Sequence, residues 1–452
     1  MGLLLDLAYF LACLLLSPWI LYRLVLAPGR RDFAMRFGVG LGERLDESIW
    51  LHGSSAGEVT LLRPLVALLE RDLPGTPLVI SAFTVTGLAA ARKLYSRHRV
   101  VQFPLDLSWV VRRFLRHFEP RLVIIVESEF WPNFIRCAHR QGRTVVVVNG
   151  KMSAKSYRVH ARTRLIPRVL AELDLLAVQT EEHAERLRSL GVPADRIRVT
   201  GNMKYDLTRP PADVEHGLAL RRTLGYANDD VVIIGGSLHE QEDEALLDAF
   251  AAARAVNERA ALIIVPRYPA DAATVEQHVL ARGERAVRKT AVAAGAEPPG
   301  RTGVLVVDTV GELGSLYAAA DIAFVGGSLF FRGSNKGGHN LMEPAILSVP
   351  VLFGPYNFSF KETVEDLLAA DAGRLVADAN ELARSIVELV ADGRKRRELG
   401  LRAQRVVRVG QGATARNYEL LRERLRTGPR PLRHPLADRK MPRSPKDLDS
   451  TL

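Results

Sequence analysis

SIWLHGSSAGEVTLLRPLVALLE, residues 48–70, holds the unit from which the chain is built: a short apolar run, a glycine-serine turn, then a helical pattern. Residues 48–52 are too few and too apolar for anything but a strand buried on both faces, as strands of parallel sheets are. The same unit recurs along the chain. Strand-like runs lie at 77–82, 99–103, 121–126, 144–149, 175–179 and 196–201, each separated by an amphipathic helical segment. After a pause at the Pro-rich 208–218, the alternation resumes at 230–237, 261–266, 304–309, 321–327, 349–354 and 373–376. Strands alternating with helices predict parallel α/β sheets, and two series predict two doubly wound, Rossmann-like domains. Residues 28–207 form the first and 219–412 the second, with 208–218 as linker. In such sheets ligands gather outside the carboxyl ends of the strands, so the strand-to-helix turns are where chemistry belongs.

Composition narrows the class. A chain of 452 residues, 47% hydrophobic and 25% charged, exceeds one ordinary domain and excludes general disorder. Two cysteines, Cys13 and Cys137, cannot build a disulfide framework or a cysteine-rich zinc site. The net charge of +11 is concentrated: 130–171 contributes +9 with no Asp or Glu, the tail 426–446 contributes +6, and the remainder is −4. A phosphate-rich partner fits the first patch. The tail, 428–452, reads as disordered and basic.

Residues 7–22 carry no charge and precede Arg23, Arg30 and Arg31. With basic residues after the apolar run rather than before it, and no small-residue cleavage site, 1–27 reads as an uncleaved membrane anchor and not a signal peptide. The positive-inside bias then places the domains in the cytoplasm, at the inner membrane. Trp19 and Tyr22 suit the interface. Pro18 leaves open whether the anchor spans the bilayer or dips into one leaflet.

Four turns carry candidate chemistry. In the first, Ser54 and Ser55 precede Glu58, which is either an acid favoured by a helix N-terminus or a general base. In the second, Glu127 and Glu129 sit at a strand end before Trp131-Pro132, either capping that helix or acting in the site. In the third, Lys151, Ser153 and Lys155 suit an anion held by amides and ammonium groups together. In the second half, Gly236-Ser237, Arg267 and the cluster Gly338, Asn340 and Glu343 suit a nucleotide phosphate and ribose. No HExxH, P-loop or paired-cysteine motif occurs, so neither a metal nor a cofactor is expected. No aromatic-basic module for nucleic acid is visible.

HGSSAGE, ESEFWPN, NGKMSAKS, VTGNMKYD, GGSLHEQEDE, VPRYP, DTVGELGSLYAAADIAFVGGSL, GGHNLMEPA and FGPYNFSFKE follow one another in order after MRFGVGLGER. Together they resemble the 3-deoxy-D-manno-octulosonic acid (Kdo) transferases. The resemblance implies a GT-B fold with two domains facing a cleft, an amino-terminal domain for the lipid acceptor and a carboxyl-terminal domain for CMP-Kdo. It further implies metal-independent transfer to a lipid A precursor, and a last helix, 413–427, that crosses back to the first domain. Carried over, Glu58 is the expected base and Glu127 and Glu129 are essential acids. Lys204, Gly236, Ser237, Arg267, Gly338, Asn340 and Glu343 bind the donor, whereas Ser54, Ser55, Lys151, Ser153 and Lys155 face the acceptor. The chain differs from the family pattern in having Lys151 in place of Arg and extra residues at 334–336. The alternative is a membrane-associated GT-B transferase with another sugar nucleotide. A nucleotide-binding scaffold without activity is the competing class, and it would tolerate loss of Glu58.

Overall fold

The computed structural model describes residues 2–163, 165–208, 214–333 and 337–426. Residues 209–213 of the expected linker, the inserted 334–336 and the basic tail fall outside them. The described chain forms two compact units. The first takes the residues up to Met203 and the last helix, Ala413–Arg426; the second runs from Lys204 to Gln411.

In the first unit, β1 (Ile49–His52), β2 (Leu78–Ala82), β3 (Arg99–Gln102), β4 (Leu122–Val126), β5 (Thr144–Gly150), β6 (Leu175–Val178) and β7 (Ile197–Val199) form one sheet. Its order is β3-β2-β1-β4-β5-β6-β7, and every pairing is parallel. The order reverses between β1 and β4, which opens a crevice at their carboxyl ends. Alternate residues of these strands feed opposite cores: Trp50, Val123 and Ile125 on one face, Ile49, Leu51 and Ile124 on the other. Trp50 is fully buried among Phe103, Phe114, Phe118 and Phe134, with ring centroids 5.0–6.4 Å away, and its indole donates to Ser81 Oγ at 2.8 Å. Such pairs contribute about 0.5–1.5 kcal/mol each beyond burial. They hold rigid the sheet on which the β1 and β4 turns sit.

The second unit contains β8 (Val231–Leu238), β9 (Ala260–Pro266), β10 (Arg285–Arg288), β11 (Gly303–Val306), β12 (Ile322–Val325), β13 (Val351–Phe353) and β14 (Arg374–Leu375), ordered β10-β11-β9-β8-β12-β13-β14. Strand β10 does not stand out in the sequence because it is an edge strand: Arg285 and Arg288 flank a two-residue apolar centre, so the buried-strand pattern is missing. The last helix packs on the first unit. Tyr418 donates to Asp72 at 2.9 Å, and Arg416 and Asn417 hold Thr200.

The apolar amino-terminal run forms two helices, α1 (Gly2–Leu15) and α2 (Ser17–Val25), bent by 71° between Leu15 and Ser17. Pro18, in the first turn of α2, has no amide to continue the ladder. Among the described residues, no single helix is long and apolar enough to cross a membrane. A third helix, α3 (Arg30–Met35), follows.

Candidate functional site

The turns after β1 and β4 meet at the sheet's switch point. Ser55 caps α4 (Ala56–Leu61): its hydroxyl accepts the Glu58 amide at 3.3 Å and donates to Glu58 Oε1 at 2.9 Å. The Ser54 amide donates to Glu58 Oε2 at 2.8 Å. The acid therefore closes the helix terminus, and it does so at the crevice. Gly53 is small for a structural reason, since a Cβ there would stand 2.9 Å from the Glu58 carbonyl carbon and the Val59 nitrogen. The Ser54 carbonyl accepts the Thr84 amide at 2.9 Å and the Thr84 hydroxyl at 3.1 Å, which fixes the turn against the loop after β2. Thr84 carried no signal in the sequence.

Glu129 completes the arrangement. Its carboxylate takes the Trp131 indole N–H at 3.0 Å. Burial first, and then the nearby Glu58 charge, push the Glu129 carboxyl up to about 7. Burial also raises that of Glu58, assisted by Glu127 and opposed by the Ser54 amide. Glu127 is buried and ion-paired with Lys151 Nζ at 2.7 Å. The repulsion expected of Glu127 and Glu129 is thus relieved by the third turn, which Ser128 binds through the Lys151 carbonyl.

Neither Glu127 nor Glu129 caps the helix Pro132–Arg140. Asp106 does, accepting the amides of Asn133 at 3.0 Å and Phe134 at 2.7 Å; its carboxyl is pushed up to about 7 by burial, against the pull of those amides. Glu127 and Asn149, at the ends of β4 and β5, adopt positive φ of 61° and 53°. Left-handed non-glycine residues are strained and gather at functional sites. Ser153 caps the helix Ala154–Ala161 by accepting the Ser156 amide at 3.1 Å, and Lys155 is exposed on its first turn.

The basic run is less uniform than its composition implies. Arg136 is buried beside Glu172, 3.6 Å away and just past the run. Arg140, Lys155, Arg158, Arg162 and Arg168 are exposed.

In the second unit, β9, β8 and β12 are neighbours, so the turns that follow them are brought together. Ser237 has φ 56° at the end of β8. A side chain at Gly236 would meet the Tyr317 hydroxyl at 2.1 Å, and one at Gly338, which has φ 81°, would meet Asn357 Oδ1 at 2.6 Å. The Arg267 amide donates to the Leu238 carbonyl at 2.7 Å, and its exposed guanidinium lies over the Tyr268 ring, 5.3 Å from its centroid. Asn340 donates to Glu343 Oε1 at 3.0 Å and accepts the Met342 amide at 3.1 Å; burial raises the Glu343 carboxyl. Lys204, the first residue of the second unit, has Glu362 Oε2 at 3.7 Å.

Two features escaped the sequence reading. Glu242, almost fully buried, accepts four backbone amides, those of His239, Gly327, Ser328 and Leu329, at 2.7–3.0 Å. It pins the glycine turn after β12 to the turn after β8. Gly327 leaves room beside it for His239 and His339, whose rings stack with Nε2 atoms 3.1 Å apart. Among the described residues, no group of three or more His, Cys, Asp or Glu could hold a metal ion.

This fold is shared with solved proteins whose sequences have diverged far. A putative UDP-N-acetylglucosamine 2-epimerase from Listeria monocytogenes superposes with a TM-score of 0.54 at 15% identity, covering 85% of this chain and 98% of that one. The UDP-GlcNAc 2-epimerase of Neisseria meningitidis gives 0.53 at 13% identity, covering 84% and 100%. Two units, each built on a parallel α/β sheet, make the fold GT-B-like. Sequence then specifies the family. Residues 31–207 match the family described as 3-deoxy-D-manno-octulosonic-acid transferase (kdotransferase). The Kdo transferase of Bordetella pertussis is 33% identical over 399 residues, 86% of this chain and 90% of that protein. That of Haemophilus influenzae is 30% identical over 379 residues, 83% and 87%. The chain belongs to the 3-deoxy-D-manno-octulosonic acid transferase family, and it is a glycosyltransferase.

Proposed function

We propose that the chain transfers Kdo from CMP-Kdo to a hydroxyl of a tetraacyldisaccharide lipid A precursor, lipid IVA, at the cytoplasmic face of the inner membrane, without a metal. The observation that carries this reading is the pair of acids Glu58, held by the Ser54 amide, and Glu129, close enough to feel its charge, at the switch point of the first unit.

Glu58 is the base. A carboxylate whose proton affinity burial has raised is better matched to taking a proton from an attacking hydroxyl, and such catalysis contributes about 10²–10⁴-fold. The hydroxyl oxygen bonds to the anomeric carbon of Kdo from one face while the bond to the CMP phosphate oxygen breaks on the other. The anomeric centre inverts, the proton passes to Glu58, and CMP leaves with the bonding electrons. Glu129, protonated part of the time near neutrality, keeps a second negative charge from facing Glu58. Because the Ser54 amide and the Ser55 hydroxyl are both occupied by Glu58, we assign these two groups to orienting that acid rather than to gripping the acceptor. Lys151 holds Glu127. Ser153, Lys155 and the exposed Arg158 of the helix they begin meet the acceptor's phosphates.

On the donor side, Arg267 and the backbone of Gly236, Ser237 and Gly338 receive the phosphate, Asn340 and Glu343 the ribose, and Lys204 supplies further positive charge. Preorganised groups of this kind stabilise the leaving group's charge. Mass spectrometry of lipid IVA incubated with the protein and CMP-Kdo tests the proposal. One or more Kdo additions are expected; no addition with CMP-Kdo, but transfer from a UDP-sugar, would refute it.

A further inference from the structure

The amino-terminal helices bear on the question, left open by length and hydropathy, of how the apolar segment meets a membrane. Helix α1 is fastened along its side to the first unit. Asp6 accepts the Ser108 amide at 2.9 Å, the Ser108 hydroxyl at 2.5 Å and the Asn133 side-chain amide at 3.0 Å. One turn on, the Tyr9 hydroxyl donates to Asp106 at 3.3 Å, and Tyr9 and Cys13 pack against the core beneath the β1 and β4 turns. Residues 6, 9 and 13 lie on one helix face. The opposite face, with Leu7, Phe10, Leu11, Leu14 and Leu15, is more than half exposed, as are Trp19, Leu21 and Leu26 of the following segment.

The far end is fastened too. Arg23 stacks on Trp19 and on Phe33 of α3, Ala27 and Phe33 are buried, and the Arg36 guanidinium binds the Phe83 carbonyl. Both ends of the apolar segment therefore return to the same α/β unit. A spanning helix would have to carry Asp6 about 30 Å through hydrocarbon, breaking every one of those hydrogen bonds. Nor are the pieces long enough: at about 1.5 Å per residue, α1 is roughly 21 Å long and α2 roughly 14 Å.

We propose that α1 and α2 form a bent hairpin that enters one leaflet only, with both ends on the cytoplasmic side. Its apolar outer face lies among acyl chains, and exposed Arg30 and Arg31 meet anionic phospholipid headgroups. Because Asp6 and Asp106 share Asn133, the first residue after Pro132, the hairpin also sets the depth at which the Glu127–Trp131 turn meets the leaflet. The proposal rests on the membrane reading above and adds its topology.

Single cysteines at Gly2 and Pro28, each introduced in a Cys13→Ser background of the full chain, test it in a Gram-negative host. A membrane-impermeant maleimide is applied to right-side-out spheroplasts and to inverted inner-membrane vesicles; buried Cys137 supplies the background. Both positions should label at least tenfold more in inverted vesicles than in spheroplasts. Labelling of position 2 from outside, with position 28 labelled only from inside, would establish a span and overturn the hairpin. Recovery of the protein wholly outside the membrane fraction would instead overturn the membrane reading itself, including the case in which a second copy of the chain covers the apolar face.

Discussion

Replacing Glu129 by Gln separates its electrostatics from its shape. Gln retains an acceptor for the Trp131 indole but cannot ionise. In the native protein the Glu129 carboxyl is raised from 4.5 to about 7. Each tenfold change in proton affinity is about 1.4 kcal/mol, so the full difference is roughly 3.5 kcal/mol; the side chain is partly exposed, and screening reduces this to about 1–2 kcal/mol. The sign follows from proton linkage. Because the folded state holds the proton more tightly than the unfolded state, the contribution is fully present below about 4.5 and is lost as pH rises through about 7. The Gln variant carries no such loss. Thermal unfolding of both proteins at pH 5 and pH 8.5 should therefore show the variant gaining on the wild type by about 1–2 kcal/mol at the higher pH, a shift of several degrees for a unit of this size. A variant equally stable relative to wild type at both pH values, or relatively weaker at pH 8.5, would refute the coupling of Glu129 to its buried surroundings and to Glu58.

Three further perturbations follow from the geometry. Glu242→Gln leaves one oxygen for four amides, so at least one donor loses its acceptor; a loss of about 2–4 kcal/mol and a raised KM for CMP-Kdo are expected, whereas an unchanged KM would show that the glycine turn does not depend on it. Lys151→Ala leaves Glu127 buried without its ammonium partner and should lower kcat at least tenfold, with Lys151→Arg restoring most of the rate; equal loss in both variants would show that charge at this position is not what matters. Gly236→Ala drives a methyl into Tyr317 and should cost about 1–3 kcal/mol, part of it recovered by Tyr317→Phe in the same chain, as thermal unfolding would show; a cost unaffected by the second change would place the clash elsewhere.

What the sequence made legible depended on burial. Strands such as 121–126 and 144–149 are enclosed on both faces, so nothing but apolar, mostly β-branched residues fits them, and the unit order follows from their alternation with helices. Strand β10 breaks that pattern because an edge is solvated. The site was legible where several unusual residues crowd one turn, as in HGSSAGE and ESEFWPN. It was not legible where a single polar residue acts across the sheet: Glu242 looks like the ordinary acid of a helix start, Thr84 like a loop threonine, and Asp106 and Asp6 like surface charge. Their meaning comes from backbone amides brought to them by other turns. Of the nine positive charges of 130–171, Arg136 and Lys151 face carboxylates that lie just outside the run, Glu172 and Glu127, which the run by itself does not reveal.

Glu58→Gln tests the central claim most directly. The variant keeps an acceptor for the Ser54 amide and the volume of the side chain, so the turn should persist. Under single-turnover conditions with CMP-Kdo and lipid IVA, transfer should fall by about 10²–10⁴-fold while the affinity for CMP and the unfolding midpoint stay at wild-type values. Transfer within a fewfold of wild type would contradict Glu58 as the base.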